Sequence, residues 1–120
     1  MFELTIKGTV YQFNFGIGFV REINKTLQKP ADGIPDVKED IGLAYTVGQI
    51  VDGDVLALVD VLDVANKNKE PRLTRQEIED YIDDENTDID ELFEVVLNFF
   101  KTSNATRKIT LRMIEAMQSL

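Results

Sequence analysis

The side chains that could do chemistry in this chain are few, and almost all of them are carboxylates. Its 120 residues include no His and no Cys, so a Ser-His-Asp triad, a Cys-His pair and the usual zinc sites are excluded by residue type. Only an enzyme working with carboxylates, Lys or Tyr would remain. Asp60 and Asp63 stand three apart in an apolar run, a spacing that sets both on one face of a helix, as a catalytic or metal-binding pair requires. The plainer reading, a solvated stripe on an otherwise buried helix, is preferred. The twelve residues from Asp83 to Glu94, DDENTDIDELFE, have the length of a calcium-binding EF-hand loop. They fail its pattern, because Asp88 stands where the loop needs Gly, Thr87 replaces a ligand, and Glu91 and Glu94 belong to a helix already begun. Gly16 and Gly18 lie between a strand and a helix, the setting of a dinucleotide-binding turn. Arg21 stands in place of the third glycine and no parallel strand follows, so a plain strand-to-helix turn is expected. No cofactor, metal or catalytic residue is expected.

Two segments are candidates for binding a partner instead. Acidic residues crowd between Glu77 and Glu94, and this cluster, with Asp83, Asp84 and Glu85 as its candidate contacts, complements a basic surface. Ile109, Met113, Met117 and Leu120 recur at helical spacing near the C-terminus, and adaptable Met side chains suit a surface that repacks on different partners. Ordinary docking of that helix onto the core is the plainer alternative. Arg107, Lys108 and Arg112 on the same segment give an acidic body a basic tail, which suggests head-to-tail homo-oligomers. With 22 Asp and Glu against 13 Lys and Arg, the formal charge is −9, and such a surface repels nucleic acid and anionic membranes. No secretory signal is visible, and the run from Val55 to Ala65 is too short to span a bilayer, which needs about 20 apolar residues. A soluble, intracellular protein is expected.

The elements that must position these residues follow from periodicity. Phe2, Leu4 and Ile6, then Tyr11, Phe13 and Phe15, alternate with polar neighbours and predict a hairpin over 2–15. With Gly8-Thr9 as a type II′ turn, Ile6 would face Tyr11, Leu4 would face Phe13 and Phe2 would face Phe15. A helix carrying Phe19, Ile23, Thr26 and Leu27 should end before Pro30, and KPADGIPD, from Lys29 to Asp36, reads as a mobile loop. Asp40 is the expected cap of a helix carrying Leu43, Val47 and Ile50, with Gly42 and Gly48 admitting a close neighbour. Asp54 should cap the next, over Val55 to Val64, where helix is preferred to strand because it places Asp60 and Asp63 on one exposed face. Asn66 to Pro71 reads as a polar connector, and Thr74 with Glu77 as a capping box. From Asp88 to Phe100 runs a helix so widely apolar that it is expected to be the centre of the core. A terminal helix follows, lined by Ile109, Met113, Ala116, Met117 and Leu120. The expected fold is one mainly helical α+β domain over 1–120. Its hairpin packs on a bundle of five to six helices, with a helical core over 18–104 and an amphipathic end over 106–120.

An aromatic hairpin is followed in order by FNFGIGFVREINK, GLAYTVGQIVDGDVLALVDVLDVA, EPRLTRQEIEDYID and DIDELFEVVLNFFKTSNATRK. This order resembles the tail assembly chaperones of long-tailed phages and prophages of Gram-positive bacteria, over nearly the whole chain up to Lys108. The resemblance implies a non-enzymatic role in which the protein coats the tape measure protein and helps recruit tail-tube subunits during virion morphogenesis. It further implies action in the host cytoplasm, absence from the mature virion, and correspondence to the short form of a product that often has a frameshifted extension. It transfers no catalytic motif. The competing reading from charge alone is a small acidic inhibitor or antirepressor that occupies a basic nucleic-acid-binding protein.

Overall fold

A computed structural model of the chain describes residues 2–31 and 33–119. The aromatic alternation at the N-terminus forms β1 (Phe2–Ile6) and β2 (Thr9–Phe13), an antiparallel pair. Its register differs from the expected one by two residues: Phe2 faces Phe13, Leu4 faces Tyr11, and Ile6 faces Thr9. The turn is therefore Lys7-Gly8, with φ of +51° and +81°, the left-handed pair of a type I′ turn rather than II′. A shift of two preserves side-chain parity, so the same residues still point inward. Phe15 lies beyond β2 and nonetheless stacks on Phe2, with ring centroids 6.3 Å apart.

Helix α1 (Ile17–Asn24) buries Phe19 and Ile23 and stops before Thr26 and Leu27. The stretch read as a mobile loop is instead a second antiparallel ribbon, β3 (Gln28–Ala31) and β4 (Ile34–Asp40). Helix α2 (Gly42–Val51) then begins without a side-chain cap. Asp40 ends β4 and accepts from the Gln28 amide at 2.6 Å, while the Asn24 carboxamide oxygen takes the Leu43 N–H at 3.3 Å. Gly42 does admit a close neighbour: a Cβ there would meet the carbonyl oxygens of Ile23 and Asn24 and the hydroxyl of Thr26.

Helix α3 (Val55–Asn66) is capped by Asp54, whose carboxylate accepts from the N–H groups of Leu56 and Ala57. Helix α4 (Arg75–Asp83) starts at a full Thr74–Glu77 capping box, and α5 (Ile89–Thr102) at Asp88, which accepts from Glu91 N–H at 3.0 Å. Helix α6 (Arg107–Gln118) closes the bundle against α2 and α5.

The centre of the core is α3 rather than α5. Ala57, Leu58, Val59, Val61, Leu62, Ala65 and Asn66 of α3 are all buried, and it packs against α1, α2, α4 and β2. On α5 only Leu92, Val96 and Phe100 are buried, with its other apolar residues half-buried. The first hairpin joins the helices through a cluster of rings: Phe2 lies 5.3 Å from Phe99, and Phe15 meets Phe19 and Phe100 edge-on at 5.2 and 5.4 Å. Such pairs add about 0.5–1.5 kcal/mol each beyond the area that they bury.

Asn66 corrects the reading of 66–71 as a mere connector. It is wholly buried, its amide donates to the Gln12 carbonyl at 3.0 Å, and its oxygen accepts from Leu73 N–H at 2.6 Å. Next to it the Asn14 N–H donates to the Ala65 carbonyl at 2.9 Å. One side chain thus ties the hairpin, α3 and the approach to α4 together.

Candidate functional site

Asp60 and Asp63 do share one face of α3, and both are held by arginines. Arg75 Nη2 reaches Asp60 at 2.6 Å and Arg72 Nη2 reaches Asp63 at 2.8 Å, while Arg72 also donates to the carbonyls of Asp63 and Leu73. The hydrogen bond to Asp60 is the main cause that raises the pKa of Arg75. Carboxylates neutralised in this way fasten α4 to α3 and offer no free pair for acid–base work. Among the described residues, no three acidic side chains stand close enough together to hold a metal ion.

The acidic crowding predicted around Asp83 takes a definite shape. A groove of about 410 Å³ runs between the Lys7-Gly8 turn and the junction of α4 with α5, lined by Glu77, Asp80, Asp84, Asp88 and Glu91, with Lys7 as its one basic side chain. Asp84 therefore belongs to the groove, whereas the exposed Asp83 and Glu85 do not line it. Three of the acids are there for backbone reasons. Glu77 and Asp88 satisfy the N–H groups that open α4 and α5, and Asp84 accepts from Asn86 N–H at 2.9 Å in the turn between them.

Bonds from the Thr74 N–H and hydroxyl hold Glu77 below the ordinary carboxylate range, with further help from Tyr11 and Lys7. Tyr11 donates its hydroxyl to Glu77 at 3.4 Å, and burial followed by that negative neighbour pushes the phenol above its usual value. Tyr81 is raised by burial and then by Glu91. With five carboxylates against one lysine, the groove suits a cationic side chain.

The apolar candidates lie elsewhere. Ile109 and Met113 are half-buried against the core, Met113 with its methyl group over Gly48 of α2. Met117 is half-buried and Ala116 exposed, against the expectation that Ala116 lines the packed face; Leu120 lies outside the described residues. Thr110 takes the most buried position on the helix, its hydroxyl donating to the Thr106 carbonyl at 2.8 Å. Arg107 and Arg112 are exposed, and neither forms an ion pair among the described residues.

A larger apolar exposure, missed in the sequence, sits at the corner between α2 and α3. Leu56 is 73% exposed, and Val55 and Val51 stand open beside it, flanked by Asp52 and Asp54. The signal was there in principle: an Asp54 cap fixes the helical phase, which turns Leu56 away from Ala57 and Leu58. No helix among the described residues is long and apolar enough to cross a membrane.

Comparison with known proteins gives one result. A family model described as phage tail assembly chaperone protein, TAC, matches residues 3–115. No curated protein and no solved structure matches the chain significantly.

Proposed function

The chain belongs to the phage tail assembly chaperone family, and from that membership we propose that it binds the tape measure protein and helps bring tail-tube subunits to it during tail morphogenesis. The observation that carries this reading is the extent of the family match, which takes in the first hairpin and every helix up to residue 115. The role is non-catalytic, is played in the host cytoplasm during assembly, and leaves the protein out of the finished virion.

The surface supports it. A long chain waiting to be enclosed by a tube exposes apolar residues that must be covered, and the open corner of Val51, Val55 and Leu56 offers apolar area for that purpose. The half-buried stripe of Ile109, Met113 and Met117 offers a second and more adaptable one. The acidic groove at Asp84, with Asp83 and Glu85 beside it, receives basic residues of the partner. A net charge of −9 keeps the loaded complex from aggregating.

The test is co-expression with the tape measure protein, followed by size-exclusion chromatography with light scattering. Several copies eluting with one soluble tape-measure chain are the expected result. An insoluble tape-measure chain, with this protein eluting alone, overturns the proposal.

A further inference from the structure

Every described residue of the β3–β4 ribbon is exposed except the half-buried Ala31, and the ribbon packs substantially on no helix. A two-stranded ribbon is marginal by itself and gains from further strands. Its two edges are not equivalent. The Ile41 N–H donates to the Leu27 carbonyl at 2.8 Å, so in the antiparallel alternation Lys29 and Glu39 form the next hydrogen-bonded pair, and Pro30 and Lys38 a non-hydrogen-bonded one. The outer edge of β3 then falls on Gln28 and Pro30, and Pro30 has no N–H to offer. That edge is blunted.

The outer edge of β4 falls on Lys38 and Asp40. An extended backbone would carry the same alternation on to Asp36. Between Pro30 and Ala31 the register jumps, so Asp36 and Val37 have no opposite residue on β3 among the described residues. The open pairing capacity of the ribbon is concentrated there.

We infer that this edge pairs with the same edge of a second copy of the chain, antiparallel about a two-fold axis at Val37, giving a four-stranded sheet across the dimer. The charges select the axis. Centring on Asp36, Lys38 or Glu39 sets a charge against itself, whereas centring on Val37 sets Val37 against Val37, with Asp36 of each copy opposite Lys38 of the other. Pro35 then falls, with Val37 and Glu39, at a position whose backbone is not required to donate across the new edge. Val37, 48% exposed in the single chain, becomes covered. The dimer is independent of any tape-measure contact.

Sedimentation equilibrium of the purified full chain over a range of concentrations tests it, with the variants Asp36→Lys, Lys38→Asp and the double reversal. Each single reversal creates two like-charge pairs and is expected to weaken the dimer by about tenfold or more. The double reversal restores both pairs and is expected to recover it. A chain that stays monomeric at all concentrations overturns the inference, and so does a dimer indifferent to the single reversals or not recovered by the double one. Far-ultraviolet circular dichroism of each variant shows whether the helical body, which the ribbon does not support, is intact.

Discussion

Asn66 is the residue on which several segments depend. Replacing it by Ala would leave the Gln12 carbonyl and the Leu73 N–H without their partner in a buried place, at about 1–3 kcal/mol for each orphaned group. A fall in the urea midpoint with little change in slope is the expected outcome of Asn66→Ala. Glu77 acts through charge. Its folded pKa lies below the ordinary 4.5, so its contribution is complete above that value and is lost as pH falls through the lowered one. Urea midpoints of the parent chain should therefore drop on acidification below pH 4.5, and Glu77→Gln, which keeps a capping side chain, should flatten that part of the profile. Equal acid sensitivity in the variant would exclude this role. The two residues do not stand out in the sequence to the same degree. Glu77 is announced by Thr74 three residues earlier, whereas Asn66 opens the polar run NKNKEP and looks like every other surface amide.

At the scale of elements, caps and close approaches set the helix positions. Asp54→Ala should cost about 1 kcal/mol, because two N–H groups lose their acceptor, while Asp40→Ala should cost little, since Asp40 caps nothing. Thermal or urea unfolding of the two variants side by side makes the comparison. Gly42→Ala should also destabilise, by about 1–3 kcal/mol, despite the better helix propensity of Ala, because the obstructing carbonyls of α1 belong to backbone. The helices were legible because each carries a 3.6-residue apolar period and half of them, α3, α4 and α5, carry a cap signal. The β3–β4 ribbon was not, because the described residues of QKPA and IPDVKED bury no face and the segments show no alternation. The first hairpin was legible in its faces but not in its register. Pairings two residues apart bury the same side chains, and the deciding left-handed residue is Lys7, a type that carries no turn signal. The acidic groove was half legible: the sequence marks Asp84, but only the fold brings Glu77 and Glu91 to the same trough.

For the whole molecule, the question is which exposed area serves the partner and which merely completes the fold. Changing Val55 and Leu56 to Ser should reduce recovery of a co-expressed tape-measure chain while shifting stability by no more than about 0.5 kcal/mol, as exposed positions do. Met113→Ser, by contrast, should lower stability, because that side chain packs over Gly48. Pull-down yield and urea midpoint, measured on both variants, separate the roles. The link from Gln12 to Asn66 also bears on how the protein comes off the ribosome. The two residues are 54 positions apart, and at a synthesis rate of about 5–20 residues per second the aromatic hairpin waits several seconds before the helix that fastens it has been made. During that interval Phe2, Phe13 and Phe15 have no helical core to cover them, so a member of a chaperone family passes through a stage of synthesis in which its own first residues need shielding.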